Sequence, residues 1–398
     1  MFNALPTLNL GTHQTVHILA PRARRVLSSR LMKRAAPTYQ STIVTYSPGW
    51  TLIPTHWCRN SCGYCAFVAR TGAAGELLPI AAACFEIERA RAAGATELLI
   101  MSGEGVEQSA AIRASLRREG FNCYLDYLLH IARAALAHDL LPHINVGNLA
   151  EDELLALRAC VPSLGMMLET VDGSLRGEAA HRHAADKAPE RRLETLQAAG
   201  RARVPFTTGL LVGIGESWAA RAETLEAIAG IQREGGHIQE VIVQPFTPHA
   251  GTAMAGWVAP TVEELREVVR LARAVLPPEI VVQIPPNLAP DIMPLIEAGA
   301  RDLGGISHDG DRINPAERWL NPRRYNQILR AHGYTLAPRL AVHDAWMTRQ
   351  WLSPATLAAT ERVRLRLPYA DEITPVAHEA GYLAPPLSTA LDVWETHA

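Results

Sequence analysis

Three cysteines stand within eight residues of this sequence, in the segment CRNSCGYC. They are Cys58, Cys62 and Cys65, and their spacing is C-x3-C-x2-C. A structural zinc site needs four ligands, so His56 or a distant residue would have to complete the set. A redox pair of Cys62 and Cys65 would require a thioredoxin-like context. A four-iron cubane normally takes four cysteines, so three of them would leave one iron open to a substrate or cofactor.

The remaining cysteines, Cys84, Cys123 and Cys160, are scattered along the chain. A disulfide scaffold is usually short and dense in cysteine, whereas this chain has six cysteines in 398 residues. We therefore expect a reducing, cytoplasmic protein with one cysteine site, residues 58–65, called the cysteine segment below. The other three cysteines are expected to be small buried residues.

Charge and hydropathy exclude some classes of partner. The formal net charge is −2, which gives no reason to expect nucleic acid or an acidic membrane surface. No apolar run is long enough to span a bilayer, so we expect no membrane segment. The segment RARRVLSSRLMKRA precedes every acidic residue of the chain. It predicts a basic surface helix rather than a transit peptide, because no apolar region with a cleavage site follows it.

Short apolar runs alternate with amphipathic segments from about residue 50 onward. The runs are WTLIPTHW (50–57), TELLIMSG (96–103), LLPHINVG (140–147), LGMMLET (164–170), FTTGLLVGI (206–214), EVIVQPF (240–246), EIVVQIPP (279–286) and DLGGIS (302–307). Helices are predicted between them, for example over 79–94, 190–204 and 222–236. Gly94, Gly200 and Gly235 are predicted to cap these helices at their carboxyl ends.

Strands that alternate with helices predict βαβ units and a parallel sheet. Eight such strands fit a closed (β/α)8 barrel of the TIM type, with a doubly wound open sheet as the alternative. A barrel places its chemistry at the carboxyl ends of the strands, and the cysteine segment follows the first strand. We predict a basic segment over 1–45, the barrel over 46–310, and a helical extension packed on the barrel over 311–398.

The cysteine spacing after a first strand resembles that of the radical S-adenosylmethionine (SAM) enzymes. In that family the amino and carboxylate groups of SAM chelate the open iron, and an electron from the cluster cleaves the sulfonium. The 5'-deoxyadenosyl radical that forms takes a hydrogen atom from the substrate. The resemblance implies a [4Fe–4S] cluster on Cys58, Cys62 and Cys65, SAM as cofactor, and a reductant such as flavodoxin or ferredoxin.

Further motifs agree with this resemblance. MSGEG (101–105) ends the second strand, where the family contacts the amino group of SAM, and GLLVGIGE (209–216) lies on the fifth strand, where the family supports the adenine. Glu169 ends the fourth strand and is a candidate ligand of the ribose or amino acid part of SAM; a structural pair with an arginine is the alternative. The cofactor contacts implied by the resemblance are Tyr64, Gly103, Glu104, Glu169, Gly209, Gly213 and Glu216.

The similarity extends to one family over roughly residues 42–310. The segments CRNSCGYCAF, GLLVGIGES, GHIQEVIVQPF, GTAMA and IPPNL together resemble the first subunit of the 7,8-didemethyl-8-hydroxy-5-deazariboflavin (FO) synthases. The second subunit joins a tyrosine-derived 4-hydroxybenzyl group to 5-amino-6-(D-ribitylamino)uracil. The resemblance implies that this chain cyclises the resulting adduct to FO with loss of ammonia, in coenzyme F420 biosynthesis.

Polar side chains near the strand ends suit such a substrate. Asn145, Gln239, Gln244 and Asn287 are the candidate substrate contacts, with Gln283 beside them, because amides both donate and accept hydrogen bonds. A structural hydrogen bond at a strand end is the alternative for each. His143 and His181 are candidates for moving a proton as ammonia leaves. Asp186 and Lys187 are expected to form an ion pair in a loop.

Two other classes of function stay open at this point. One is a related radical SAM enzyme of the same branch, such as the tyrosine-using subunit, a menaquinone-pathway enzyme or a biotin synthase-like protein. The other is a non-enzymatic iron–sulfur or zinc protein that binds a partner. A plain nucleotide-binding α/β protein leaves the cysteine segment unexplained.

Overall fold

The computed structural model describes residues 41–68, 76–307 and 309–367. The predicted basic surface helix and the last part of the predicted helical extension lie outside these residues. Among the helices of the described ranges, none has the length and apolar content needed to cross a membrane.

Eight parallel strands form a closed barrel. They are β1 (Ile43–Leu52), β2 (Glu97–Met101), β3 (Leu141–Asn145), β4 (Ser163–Gly165), β5 (Phe206–Val212), β6 (Ile238–Pro245), β7 (Val281–Gln283) and β8 (Asp302–Ser307). Each strand pairs with the next in sequence, and β1 pairs with both β8 and β2, which closes the ring. The predicted (β/α)8 barrel is confirmed, and the open-sheet alternative is excluded.

Helices connect every pair of consecutive barrel strands. They are α1 (Ile80–Ala92), α2 (Ala110–Arg118), α3 (Tyr124–Ala137), α4 (Glu151–Arg158), α5 (Pro189–Arg201), α6 (Trp218–Gly235), α7 (Val262–Val275) and α8 (Met293–Glu297). Two more, α9 (Pro322–Arg330) and α10 (Pro354–Arg364), follow the barrel. Several begin at a serine, threonine or asparagine whose side chain accepts a backbone N–H of the first turn, as at Ser217 and Thr261.

The predicted carboxyl-terminal caps are only partly right. Gly94 follows α1 in the left-handed region, with φ 84°, as expected of a cap. Gly200 lies inside α5, where a Cβ would come within 2.9 Å of the ring of His237. A glycine is therefore required there by close packing and not by helix termination. The left-handed residue after α6 is Gly236, with φ 66°, one position beyond the predicted Gly235.

Two strands differ in extent from their predicted runs. Strand β1 begins at Ile43 and ends at Leu52, whereas the run was predicted over 50–57; Pro54 just beyond it cannot donate to a strand ladder. The run 164–170 contributes only its first two residues to β4, which begins at Ser163. Glu169 adopts a left-handed φ of 67° and keeps a single bridge to Leu210.

A ninth strand lies within the region predicted to be helical. Strand β9 (Thr335–Pro338) pairs with the first part of β1, over Ile43–Tyr46. It lies on the same edge of β1 as β2, which pairs with the later part of that strand. Residues 339–343, called the basal segment below, then cross the amino-terminal end of the barrel. The predicted boundary at 45/46 falls within β1, and the one at 310/311 falls between β8 and β9, so the sheet extends beyond both. The three-part division stays a prediction.

The apolar core lies between the sheet and the surrounding helices. Along β2, Leu98 and Ile100 are fully buried in that core, whereas the alternate residues Glu97, Leu99 and Met101 line a cavity inside the barrel. This alternation follows from the two-residue period of a strand. It leaves the barrel interior free for polar groups.

Candidate active site

A cavity of about 350 Å³ runs from the carboxyl ends of the strands into the barrel. All three cysteines of the cysteine segment line it, and so do inward-facing residues of most strands. Cys84, Cys123 and Cys160 do not line it. The cavity therefore brings the predicted chemistry to the end of the barrel where catalytic groups are expected.

The loop after β1 is held in place by backbone hydrogen bonds. The Ser61 N–H donates to the His183 carbonyl at 2.7 Å, and the Gly63 N–H donates to the Ala180 carbonyl at 2.9 Å. A Cβ on Gly63 would lie 2.1 Å from the Ala179 carbonyl oxygen, so only glycine fits there. These contacts determine where the cysteines point.

The sulfur of Cys58 accepts two backbone hydrogen bonds. The N–H of Glu104 lies 3.2 Å away and the N–H of Asn60 lies 3.4 Å away. A Cβ on Gly103 would meet the Cys58 Cβ at 2.4 Å. Gly103 thus lets the turn after β2 approach the first cysteine closely enough for its neighbour to donate to the sulfur.

A buried ionic network lies beside the cysteines. Lys187 donates to Glu169 at 2.6 Å and lies 3.4 Å from Glu104, and Arg192 forms an ion pair with Glu104. Glu169 also accepts from the Tyr64 hydroxyl at 2.6 Å and contacts His181 Nε2 at 3.0 Å. Two carboxylates are therefore matched by two cations. The alternative reading of Glu169, a structural pair with an arginine, is not what the structure shows, because the cation that contacts it is Lys187.

The network keeps Glu169 ionised in a buried place. Burial alone would raise the pKa of Glu169, but Lys187, the His181 hydrogen bond and Arg192 together hold it well below its usual range. Burial and Arg192 lower the pKa of Lys187, yet the carboxylates of Glu169 and Glu104 raise it above its usual value. The network thus contains fixed charges beside the three thiols.

The turn after β5 does not reach the cavity. Both oxygens of Glu216 accept backbone N–H groups of its own turn, from Gly213 at 2.9 Å and Ile214 at 2.8 Å, and Arg221 donates to it at 2.6 Å. Gly209 packs against β6, where a Cβ would lie 2.3 Å from the Ile242 carbonyl oxygen. Of the predicted cofactor contacts, Gly209, Gly213 and Glu216 shape the wall, whereas Tyr64, Gly103, Glu104 and Glu169 line the cavity.

Three of the four predicted substrate contacts line the cavity. Asn145 and Gln244 do so without a side-chain hydrogen bond to any described residue. Asn287 lines the cavity too, but its amide donates to the Asp311 carboxylate at 2.7 Å. Among the four, Asn145 and Gln244 therefore have free hydrogen-bonding capacity, and so does Gln283, which also lines the cavity.

Gln239 does not line the cavity. The pairing of β5 with β6 shifts at this point, so that Thr207 lies opposite Glu240 and Gln239 is the extra residue. Such a bulge redirects a side chain. The amide of Gln239 instead donates to the Ala341 carbonyl at 3.2 Å and accepts the His343 N–H at 3.0 Å, which holds the basal segment.

The other predicted polar residues have mixed outcomes. His143 lines the cavity, whereas His181 does not line it and is engaged with Glu169. Asp186 and Lys187 do not pair with each other. The Asp186 carboxylate contacts Arg191 at 2.9 Å and Arg59 at 3.3 Å instead.

The comparisons with known proteins agree with this geometry. The profile of the Radical SAM superfamily matches residues 52–228. A 7,8-didemethyl-8-hydroxy-5-deazariboflavin synthase of Methanosarcina barkeri is 40% identical over 321 residues, which cover 78% of this chain and 94% of the relative. The chain belongs to this FO synthase family. A synthase of the same name from Gloeobacter violaceus is 43% identical, with 81% and 97% of the two chains covered.

Solved structures support the barrel of this FO synthase family member. The FeFe-hydrogenase maturase HydG from Carboxydothermus hydrogenoformans gives a TM-score of 0.60 at 17% identity, covering 88% of this chain and 79% of the other. Methylornithine synthase (PylB) gives a TM-score of 0.56 at 15% identity, covering 80% and 91%. At these identities the likeness shows the fold alone.

The donor set fits the cofactors of the radical SAM enzymes, a [4Fe–4S] cluster and SAM. None of the three cysteines of the segment forms a disulfide with another described residue, and a cubane with three thiolates keeps one open iron. Burial raises the pKa of the Cys62 thiol to about 12, so the thiolate forms on binding iron, with release of a proton. The N–H groups that point at Cys58 are of the kind that tune cluster sulfurs.

Several lining residues of this FO synthase family member were not predicted from the sequence. Lys187 and Arg192 both lie where the chain enters α5, in DKAPERR (186–192). The local sequence does not reveal that this arginine is fully buried. The loop after β8 contributes Asp311, Asn314 and Trp319. No spacing pattern links this loop to the cysteine segment, so only the folded chain reveals it.

Proposed function

We propose that this chain converts 5-amino-5-(4-hydroxybenzyl)-6-(D-ribitylimino)-5,6-dihydrouracil to FO, with ring closure and loss of ammonia. Membership of the FO synthase family supports the formation of FO. The observation that carries the assignment is one cavity that joins the cysteine segment to the free amides of Asn145 and Gln244. Such amides can pair with the carbonyl and N–H groups of a uracil ring.

Each part of the cavity has a task in this proposal. Cys58, Cys62 and Cys65 hold the cluster, and the turn at Gly103 and Glu104 contacts SAM. When bound, the cluster and SAM supply a deoxyadenosyl radical that takes one hydrogen atom from the substrate. Asn145 and Gln244 orient the uracil. The loop after β8 excludes water, and Arg312 anchors it by an ion pair to Glu86 at 2.9 Å.

The proposal includes two partners. A second FO synthase subunit supplies the adduct. A one-electron donor such as flavodoxin or ferredoxin starts the reaction.

The test uses anaerobically reconstituted protein with SAM, a strong reductant and the adduct. We expect deazaflavin fluorescence and 5'-deoxyadenosine to rise together, with one ammonium released per FO. Deoxyadenosine without fluorescence would show that a different substrate belongs here, as in the related enzymes of the same branch. Formation of FO without release of ammonium would contradict the proposed loss of ammonia.

Replacing Glu104 by alanine is expected to weaken SAM binding while the cluster remains. The carboxylate can accept hydrogen bonds from an ammonium, and losing one bond to a charged group raises a dissociation constant about 10- to 100-fold. Calorimetric titration of SAM into the reconstituted variant measures this, with visible absorbance as the check on the cluster. Glu107→Ala, an exposed residue three positions away, is the matched control. Unchanged SAM affinity in Glu104→Ala would exclude Glu104 from the site.

A further inference from the structure

The lower half of the cavity is polar, although barrel interiors are usually filled by branched apolar side chains. Five strands direct polar side chains into it, and the other three strands carry glycine at the corresponding inward positions. The polar residues are Glu97, His143, Thr207, Glu240 and Gln283. The glycines are Gly49, Gly165 and Gly305. Small residues opposite polar ones leave room for a hydrogen-bonded ligand.

Glu97 is the residue that most clearly lacks a partner. It is 7% exposed, and its carboxylate has no hydrogen bond or salt bridge to the described part of the chain. The nearby Glu240 differs, because Arg339 donates to it at 2.9 Å and Thr207 at 3.3 Å. A carboxylate that accepts no hydrogen bond at this depth is costly. It therefore indicates a ligand that donates hydrogen bonds.

His143 presents a second acceptor. The Ser163 hydroxyl donates to the Ala341 carbonyl at 2.9 Å, so its oxygen accepts from His143 Nδ1 at 2.8 Å. Burial lowers the pKa of His143, so the ring is neutral and Nε2 carries no proton. Gly165 makes room for this nitrogen, since a Cβ there would come within 2.6 Å of it.

The charge of the region selects among ligands. Three carboxylates, of Glu97, Glu240 and Asp302, face one guanidinium, that of Arg339. The excess of negative charge disfavours a phosphate or carboxylate group. Two acceptors without partners favour a neutral ligand with several hydroxyl donors.

We propose that Glu97 and His143 bind the D-ribityl chain of the adduct, with its ring system above them toward the cysteine segment. This inference rests on the proposed function, because it assigns one part of that substrate. The length is suitable: from Glu97 to Met101 strand β2 rises about 13 Å, which accommodates a five-carbon chain below a ring system.

The first test compares two adducts on the unaltered protein. One carries the D-ribityl chain and the other an n-pentyl chain of the same length without hydroxyls. We expect kcat/KM to be about 10- to 100-fold higher for the ribityl adduct, mainly through KM, because hydroxyl bonds to a buried carboxylate are lost in the other. Equal kcat/KM values would overturn the inference. Product from neither adduct would instead contradict the proposed function itself.

The second test assigns the residue. In Glu97→Gln, kcat/KM for the ribityl adduct is expected to fall about tenfold or more, whereas the pentyl adduct reacts as in the unaltered protein. Glu263→Gln, on the outer surface of α7, is the matched control. Thermal unfolding and SAM binding report whether the variant is folded. An equal fall for both adducts, or no fall for either, would overturn the assignment of Glu97.

Discussion

Replacing any one of Cys58, Cys62 or Cys65 by alanine is expected to abolish both the iron–sulfur absorbance and the formation of FO. All three thiols line the same cavity. The cubane has three cysteine ligands where four are usual, and each variant leaves it only two. SAM then has no single open iron at which to bind. The effect is large because cluster assembly, SAM cleavage and substrate turnover all depend on the same three sulfurs.

The measurement is visible absorbance after anaerobic reconstitution, together with 5'-deoxyadenosine and fluorescence. Cys84→Ala is the matched control, because Cys84 lies on α1 and does not line the cavity. It should assemble the cluster and form FO at the rate of the unaltered protein. Full activity in any of the three segment variants would contradict the site. A colourless protein that binds zinc instead would support the non-enzymatic alternative.

Replacing Arg339 by alanine is expected to lower the free energy of unfolding by about 3–5 kcal/mol, since removing one partner of a buried ion pair leaves uncompensated charge. Arg339 donates to Asp302 at 2.5 Å and to Glu240 at 2.9 Å, and both carboxylates are buried. Burial would raise the pKa of Asp302, but Arg339 holds it at about 2. The same side chain fastens the basal segment to the barrel.

Denaturant unfolding of the two proteins measures this difference. Arg362→Ala is the matched control, because Arg362 forms an exposed pair with Asp139 at 3.1 Å, and exposed pairs contribute about 0–1 kcal/mol. Burial already raises the pKa of Glu240 beside Arg339, and without Arg339 the pKa of Asp302 is expected to rise above its value in the unfolded chain as well. As the pH falls through these pKa values, the carboxylates take up protons and the variant regains stability. The difference in unfolding free energy between the two proteins should therefore be smaller at acidic pH than at neutral pH. A loss of unfolding free energy no larger than that of Arg362→Ala would contradict the stabilising role of Arg339.

The ninth strand explains why this ion pair matters for the site. Strand β9 adds to the lower edge of β1, and the basal segment then covers the amino-terminal end of the barrel. Gln239 and Ser163, at the starts of β6 and β4, both donate to the Ala341 carbonyl and so hold the segment against the barrel. Arg339 and Ala341 line the cavity, so the basal segment forms part of its floor.

Local patterns predicted the barrel well, and the three cysteines that they singled out line one cavity. The alternation of apolar runs with amphipathic segments depends on neighbours a few positions apart, and it placed eight strands in the right order. Patterns failed where a residue serves a distant partner. Gly200 looks like a cap but packs on His237, and Gln239 looks inward but lies in a bulge.

The sequence by itself determined the fold class, the cysteine spacing and the family, because each is carried by residues close together in the chain. Only the tertiary structure decided which charges meet: Arg192 and Glu104 are 88 positions apart, and Arg339 and Glu240 are 99 apart. Which carboxylate is paired and which is free depends on packing between strands. For that reason only the folded chain shows that Glu216 accepts the N–H groups of its own turn, and that Glu97 lies in the cavity with no hydrogen bond to its side chain from the described residues.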